Sequence, residues 1–195
     1  MITTKDPNQA RRLVKSVRDN PQKAISNLQA AVEYVSSLPF VNSSKIASIG
    51  WCFGGWQSLQ LPLHSEQHPL AATVLYYGTP LVTDKQELSK LKWSVLGIFG
   101  DHDFKAALDS DGITNEILIY KGLGNAFAYP SGANYAPQQT ADAWQKTLIF
   151  LNKYLGHWKC SMIMALTLDR QNLFYGCCSQ TYPVYVRSKQ WREFR

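Results

Sequence analysis

Apolar side chains recur every three or four residues in three stretches of the chain, and this spacing predicts three amphipathic helices. The first begins at Asn20-Pro21, because a capping side chain followed by proline is typical of a helix start. The second follows the glycine pair at 54–55 and closes near a proline. The third opens at Pro137 and ends at Gly156, a residue type that commonly terminates helices.

Four short and nearly continuous apolar runs lie among these helices, at residues 45–49, 71–77, 94–99 and 116–120. Runs of this length that end near glycine or a turn are typical of strands buried on both faces. Such strands, separated by helices, predict an α/β fold in which a mostly parallel sheet is flanked by helices. A ligand site in this kind of sheet lies at the carboxyl ends of the strands.

The composition supports a folded domain. Of the 195 residues, 45% are hydrophobic and only 17% are charged, so the chain can bury enough surface to offset the entropy of ordering. No run of about 18 apolar residues is present, which argues against a membrane span. The first residues, MITTKDPNQARR, lack the apolar core of a secretory signal. We therefore expect a cytoplasmic protein with reduced cysteines and no membrane partner.

The net charge of +6 is unevenly distributed, because residues 156–195 hold six basic and only two acidic side chains. This shift predicts three segments: an N-terminal extension over 1–19, a domain over 20–156, and a C-terminal tail over 157–195. The extension is polar with a weak helical stripe. The tail mixes basic and aromatic residues and is expected to be poorly ordered.

The tail carries no specific binding motif. Its cysteines, Cys160, Cys177 and Cys178, lack the paired spacing and the histidine partners of a zinc site, so no metal is expected. Basic and aromatic residues in alternation can suit single-stranded nucleic acid, but the basic residues here are scattered. Nucleic-acid binding is therefore the weakest of the functional hypotheses.

The sequence GWCFGG at residues 50–55 lies where the first predicted strand ends and the next helix begins. It has the layout of a nucleophile elbow, G-x-S-x-G, with Cys52 in place of serine. Flanking glycines allow the tight turn, and a helix N-terminus favours the thiolate form of a cysteine. The backbone N–H of Phe53 would donate to a developing oxyanion. The alternative is a buried free cysteine that acts as a small apolar residue.

A cysteine nucleophile of this kind needs a base, and the base needs an orienting carboxylate. Asp103 follows the third strand, at the edge of the sheet where a site is expected. Its position in the order nucleophile, acid, base fits the elbow enzymes. The alternative is a turn carboxylate that caps its own backbone, which aspartate commonly does.

Together these segments resemble the dienelactone hydrolase family. The similarity covers roughly residues 20–155 and rests on GWCFGG, on YYG at 76–78, on LGIFGDHD at 96–103, and on AFAYP at 126–130. The resemblance implies a partial α/β-hydrolase fold, followed by a tail unlike the family. It also implies hydrolysis of small-molecule lactones or carboxylic esters by a Cys–Asp–His triad, without a cofactor. Cys52 would then be the nucleophile and Asp103 the orienting acid.

The family's catalytic histidine has no counterpart here, because Asn125 stands at its position, one residue before Ala126. An amide has no basic site near neutral pH and cannot carry a proton to or from the reacting atoms. His102 adjoins Asp103, so the two side chains are expected to diverge. The remaining histidines, His64, His68 and His157, fall away from the predicted site.

A second departure concerns the start of the sheet. Only about 20 polar residues precede the first predicted helix, whereas family members have several strands before the nucleophile. The sheet is therefore expected to lack its N-terminal half and to expose an edge strand. Two hypotheses remain: a cysteine-dependent hydrolase of impaired activity, or an inactive truncated homologue that binds a ligand or partner. The sequence identifies neither the substrate nor the oligomeric state.

Overall fold

The computed structural model describes residues 6–65, 69–78, 85–101, 116–156, 162–166, 173–177 and 184–185. The helices are α1 (Pro7–Asp19), α2 (Gln22–Ser37), α3 (Phe53–His64), α4 (Lys85–Leu88) and α5 (Pro137–Leu155). The strands are β1 (Ile46–Trp51), β2 (Ala72–Tyr76), β3 (Val95–Gly100), β4 (Glu116–Tyr120), β5 (Met162–Leu166), β6 (Leu173–Cys177) and β7 (Val184–Tyr185).

The strands form one sheet in the order β4-β3-β2-β1-β5-β6-β7. Pairing is parallel from β4 through β5 and antiparallel from β5 to β7. Tyr76 lies opposite Trp51 on one side and Ile98 on the other, and Gly100 lies opposite Tyr120. Because these four strands run in the same direction, their carboxyl ends meet at one edge, and the loops that follow them converge there.

Side chains on each strand alternate between two apolar layers, as the period of a strand requires. Val74 and Tyr76 belong to the layer that includes Phe150 and Leu151 of α5. Leu75, between them, packs in the opposite layer with residues of α3. A third cluster joins α2 to α3 and the start of β1. Burial on both faces explains why the central strands are continuous apolar runs.

Buried hydroxyl groups inside the sheet are paired. The hydroxyls of Ser48 and Thr73 lie 2.8 Å apart on neighbouring strands, and Trp93 donates from Nε1 to Thr73 Oγ1 at 2.9 Å. On the other face, the hydroxyls of Tyr76 and Thr147 lie 2.8 Å apart and connect β2 to α5. Each pair satisfies polar atoms that would be costly to bury alone.

The predicted fold class is confirmed, since the predicted strands form the parallel part of a mostly parallel sheet that is flanked by helices. The structure differs within the predicted N-terminal extension, where residues 7–19 form α1. Asp6 caps this helix by accepting a hydrogen bond from the Asn8 N–H at 2.9 Å. No residue of α1 is fully buried. Within the described residues, no helix has both the length and the apolarity to cross a membrane.

The expectation that β1 would expose an edge is wrong for the described residues. β5 pairs with β1 in parallel, from Ile46 opposite Met162 to Gly50 opposite Leu166. Strands β5 to β7 all lie in the tail that was predicted to be poorly ordered. The tail is basic and aromatic overall, and this composition led to the prediction of poor order although a short apolar run is present at 162–166. The rest of the tail lies outside the described residues, and there the prediction stays a prediction.

Candidate functional site

Cys52 occupies the turn between β1 and α3, as the elbow motif predicts. Its backbone has φ 52° and ψ −118°, a conformation that residues with a β-carbon rarely adopt. The Cys52 N–H donates to the Tyr76 carbonyl at 3.0 Å, and the Cys52 carbonyl accepts from the Trp56 N–H at 3.1 Å. The Cys52 residue is partly exposed, so it is not sealed beneath the core.

The turn holds its shape because glycines let three backbone segments touch. A β-carbon on Gly55 would lie 2.9 Å from the Tyr76 carbonyl oxygen, and one on Gly78 would lie 2.7 Å from the Gly55 carbonyl carbon. The end of β1, the start of α3 and the end of β2 therefore meet through backbone atoms. This contact fixes Cys52 relative to Tyr76 and the residues that follow it.

Phe53 is the first residue of α3, where backbone N–H groups have no acceptor inside the helix. Such an N–H can stabilise negative charge that develops on a substrate oxygen. The Phe53 ring stacks on Trp56, with ring centres 5.5 Å apart and an interplanar angle of 16°. The Arg18 guanidinium lies 5.7 Å from the centre of the Phe53 ring and 5.9 Å from that of Trp56. Helix α1 therefore reaches the residues beside the elbow.

The end of β3 is joined to the loop that follows β4. Asp101 accepts a hydrogen bond from the Gly122 N–H at 2.9 Å. Gly100 packs so closely that a β-carbon there would lie 2.0 Å from the Leu123 carbonyl oxygen. His102 and Asp103 lie outside the described residues, so the role of Asp103 as orienting acid stays a prediction.

Asn125 lies in this same loop, beside the end of β2. Its Nδ2 donates to the Tyr77 carbonyl at 3.3 Å, and its own carbonyl accepts from Asn134 Nδ2 at 3.0 Å. Cys52 bonds to the carbonyl of the residue before Tyr77. The structure therefore brings the predicted nucleophile and the residue at the histidine position to adjacent backbone groups of one strand end.

Tyr77 is a site residue to which the sequence analysis gave no role. It is 2% exposed and has φ 39°, another left-handed backbone at a residue with a β-carbon. Burial raises the pKa of its phenol, and the nearby Cys52 and Tyr76 raise it further, whereas a hydrogen bond with the Ala128 backbone lowers it. The only signal in the sequence is a tyrosine followed by glycine at the end of an apolar strand.

His64 cannot replace the missing base. It is the last residue of α3, whereas Cys52 precedes the first, so the whole helix of about 18 Å lies between them. Burial lowers the pKa of His64, with Glu87 and Lys90 acting in opposite directions. The other histidines, His68, His102 and His157, lie outside the described residues. Over the ranges described, no cluster of three His, Cys, Asp or Glu side chains could hold a metal ion.

A parallel sheet with helices on both faces, and a strained turn between its central strand and α3, define an α/β-hydrolase fold. The family model of the dienelactone hydrolases matches residues 2–155, and the chain belongs to that family. The match includes α1, which lies before the predicted domain start at residue 20.

Curated relatives extend beyond this chain. "Putative carboxymethylenebutenolidase" of Saccharolobus solfataricus is 29% identical over 153 residues, which are 72% of this chain and 56% of the relative. The protein of the same name from Synechocystis is 26% identical and is covered over 61% of its length. A "Probable 2-oxo-3-(5-oxofuran-2-ylidene)propanoate lactonase" of Bradyrhizobium is also 26% identical, with 60% coverage. The chain thus spans about three fifths of these relatives.

Solved structures agree on the fold. A dienelactone hydrolase-like promiscuous phosphotriesterase from metagenomic libraries superposes with a TM-score of 0.67 at 24% identity, over 77% of this chain and 70% of that one. A second, described as a dienelactone hydrolase from Klebsiella pneumoniae, gives a TM-score of 0.56 at 23% identity, over 67% and 60%. At these identities the likeness concerns the fold alone.

Proposed function

We propose that this chain cleaves small carboxylic esters or lactones through the Cys52 thiolate, and that Asn125 makes release of the acyl group slow. The observation that carries the proposal is the position of Cys52, partly exposed on a strained turn that opens helix α3. A helix N-terminus stabilises a thiolate without a partner base. The names of the curated relatives, which refer to lactone cleavage, support the substrate class.

In the first half of the reaction, the thiolate sulfur forms a bond to the substrate carbonyl carbon. The carbonyl π electrons move to oxygen, and the Phe53 N–H donates a hydrogen bond to that oxyanion. When the oxyanion collapses, the carbon–oxygen bond to the alkoxide breaks, and the alkoxide takes a proton from water. The product of this half-reaction is a thioester on Cys52.

In the second half, water must attack the thioester, and a base must remove its proton. Asn125 offers no basic atom, and its Nδ2 is already engaged with the Tyr77 carbonyl. Loss of a triad base costs several orders of magnitude in rate. The thioester therefore accumulates, because the absence of a base slows its hydrolysis more than it slows acylation by a thiolate that is already formed.

The test is to mix the purified protein with p-nitrophenyl acetate and follow nitrophenolate release and protein mass together. We expect a rapid burst of about one equivalent, one acetyl group on the Cys52 peptide, and slow turnover afterwards. Cys52→Ala should abolish the burst. Asn125→His should raise the steady-state rate by about 10²-fold or more, because general-base catalysis contributes that much.

Asn125→Gln is the matched control, since it keeps an amide and adds no base, and it should not raise the rate. A folded protein that acquires no acetyl group on Cys52 would refute the proposal. That result would favour the second candidate, a homologue that binds a ligand without chemistry, which the engaged Asn125 amide also fits. Turnover that survives Cys52→Ala would remove the thiol from the mechanism.

A further inference from the structure

Three residues other than glycine have a left-handed backbone in the part of the chain that the structure describes: Cys52 at φ 52°, Tyr77 at φ 39° and Ala126 at φ 65°. Each of these conformations is strained, and such strain is concentrated at functional sites. All three lie at the carboxyl edge of the sheet. The elbow explains Cys52, but nothing in the proposed chemistry yet uses Tyr77.

Tyr77 lies directly beside the nucleophile. Trp51 and Tyr76 are partners in the parallel register of β1 and β2, and Cys52 and Tyr77 are the residues that directly follow the two strands. The Cys52 N–H donates to the Tyr76 carbonyl, so the two turns are joined where they leave the sheet. The close packing of Gly78 on Gly55 leaves this arrangement no room to shift.

Tyr77 also contacts the loop after β4 at three residues, 125, 127 and 128. Its carbonyl accepts from Asn125 Nδ2 at 3.3 Å. Its ring meets the Phe127 ring edge-on, with centres 5.6 Å apart and an angle of 69° between the planes. Its phenol forms a hydrogen bond with the Ala128 backbone, and this bond lowers the pKa of the phenol. Its own N–H is fixed by the Ile98 carbonyl at 2.7 Å.

We propose that Tyr77 is a positioning residue that couples the turn carrying Cys52 to the loop carrying position 125, and that it sets the distance at which a base introduced at position 125 acts on the thiol. A base at position 125 works only if it is held within hydrogen-bonding reach of the thiol, and a displacement of 1 Å can cost much of the rate. Tyr77 supplies that constraint, because it contacts the loop and directly follows Tyr76, whose carbonyl binds the Cys52 N–H. The inference rests on the proposed function.

A neutral phenol suits this place. Burial and the neighbouring Cys52 raise the pKa of Tyr77, so the phenol keeps its proton across the neutral range. A phenolate beside a thiolate would repel it, whereas a neutral hydroxyl does not. Tyr77 can therefore hold the loop without opposing ionisation of the nucleophile.

The test uses the Asn125→His protein, with and without Tyr77→Phe, which keeps the ring and removes the bond to Ala128. We expect Tyr77→Phe to lower kcat for p-nitrophenyl acetate by about 10-fold and to leave KM within about 2-fold. The pH profile of Cys52 alkylation by iodoacetamide, measured on the Cys52 peptide, should move to higher pH, because a loosened imidazolium stabilises the thiolate less.

Tyr76→Phe is the matched control. It also removes a buried tyrosine hydroxyl, one that bonds to Thr147 on α5 and not to the loop. It should lower the melting temperature but leave the alkylation profile unchanged. Equal effects of the two variants on the profile, or no effect of Tyr77→Phe, would overturn the inference. Absence of ester turnover in Asn125→His would instead refute the proposed function, and the alkylation profile would still test Tyr77.

Discussion

Gly50 lies against Gly54 so closely that a β-carbon at residue 50 would come within 2.1 Å of the Gly54 carbonyl oxygen. Residue 50 is in the last part of β1, and residue 54 is in the first turn of α3. Gly50 therefore cannot be replaced by alanine without movement of the chain, because the obstacle is backbone rather than a flexible side chain. This contact sets the angle at which the chain leaves the sheet at Cys52.

The first prediction follows from that contact. Gly50→Ala should destabilise the fold by about 3 kcal/mol or more, or prevent folding, because a strand and a helix must move apart. Urea denaturation followed by circular dichroism measures the change. Gly122→Ala is the control: its φ is +75°, but no atom lies within 4 Å of the added carbon. It should cost only about 1 kcal/mol of backbone strain. Similar losses for both variants would contradict the steric argument.

The second prediction concerns the buried polar group shared by β1 and β2. Thr73→Val keeps the side-chain shape but leaves Ser48 and Trp93 without their shared partner at Thr73 Oγ1. We expect a loss of about 2–4 kcal/mol in the free energy of unfolding, since each buried polar group left without a hydrogen-bond partner costs about 1–3 kcal/mol.

A double-mutant cycle provides the check. Ser48→Ala combined with Thr73→Val should lower the free energy of unfolding by less than the sum of the two single losses, because the double variant no longer has the Ser48 hydroxyl that Thr73→Val leaves without a partner. Strict additivity in denaturant melts would show that the two hydroxyls do not act as a pair.

The third prediction is a pH dependence. Asp142 accepts hydrogen bonds at 2.6 Å from both Lys146 and Tyr120, and those bonds lower the pKa of its carboxyl. A carboxyl with a lowered folded pKa stabilises the protein above its unfolded pKa of about 3.9, and the contribution is lost as the pH falls through the folded value. Asp142→Asn should thus lower the melting temperature at pH 7 by about 1–3 °C.

The difference between wild type and Asp142→Asn should shrink as the pH falls from 5 towards 3. Asp19→Asn gives the comparison, because Asp19 pairs with Lys15 at side-chain exposures of 59% and 74%. That variant should change the melting temperature less at every pH. A difference for Asp142→Asn that stays constant down to pH 3 would argue against the ionised pair.

The fourth prediction concerns the tail. Truncation after Gly156 removes β5 and leaves β1 with an unpaired edge, so we expect aggregation and a lower melting temperature. Truncation after Tyr185 keeps β5 to β7 and should leave solubility near that of the full chain. Light scattering and thermal melts of both forms provide the measurement. Unchanged behaviour after the first truncation would show that the tail strands contribute nothing to the sheet.

Much of the fold follows from apolar pattern alone, because strands buried on both faces need long runs of Val, Ile and Leu. Strands β1 to β4 and helices α2, α3 and α5 lie within a few residues of their predicted positions. Helix α1 left only a weak helical stripe in the sequence, because the segment is mostly polar and none of its residues is fully buried. Strand β5 was not predicted, because its apolar run is only five residues long and lies in a tail that is basic and aromatic overall.

The site was predictable only where chemistry requires particular residue types. Glycines around Cys52 predict a tight turn, and Asn125 is recognisable because the family motif has a histidine at that position. No sequence pattern predicts the positioning role proposed for Tyr77. Its left-handed backbone and its contacts with Phe127 and Ala128 arise only when segments distant in sequence meet. Asp103 remains a prediction, as it lies outside the described residues.

The pairing of β1 with β5 also determines the order in which the sheet can be completed. Ile46 lies opposite Met162, so two strands that are far apart in the sequence are neighbours in the sheet. During synthesis β1 can join β2 early, but its other side must wait for the segment after α5. Contacts of such high sequence separation form slowly. One side of the strand that leads into Cys52 therefore stays unpaired until that segment has been made, and an unpaired strand edge can associate with other chains.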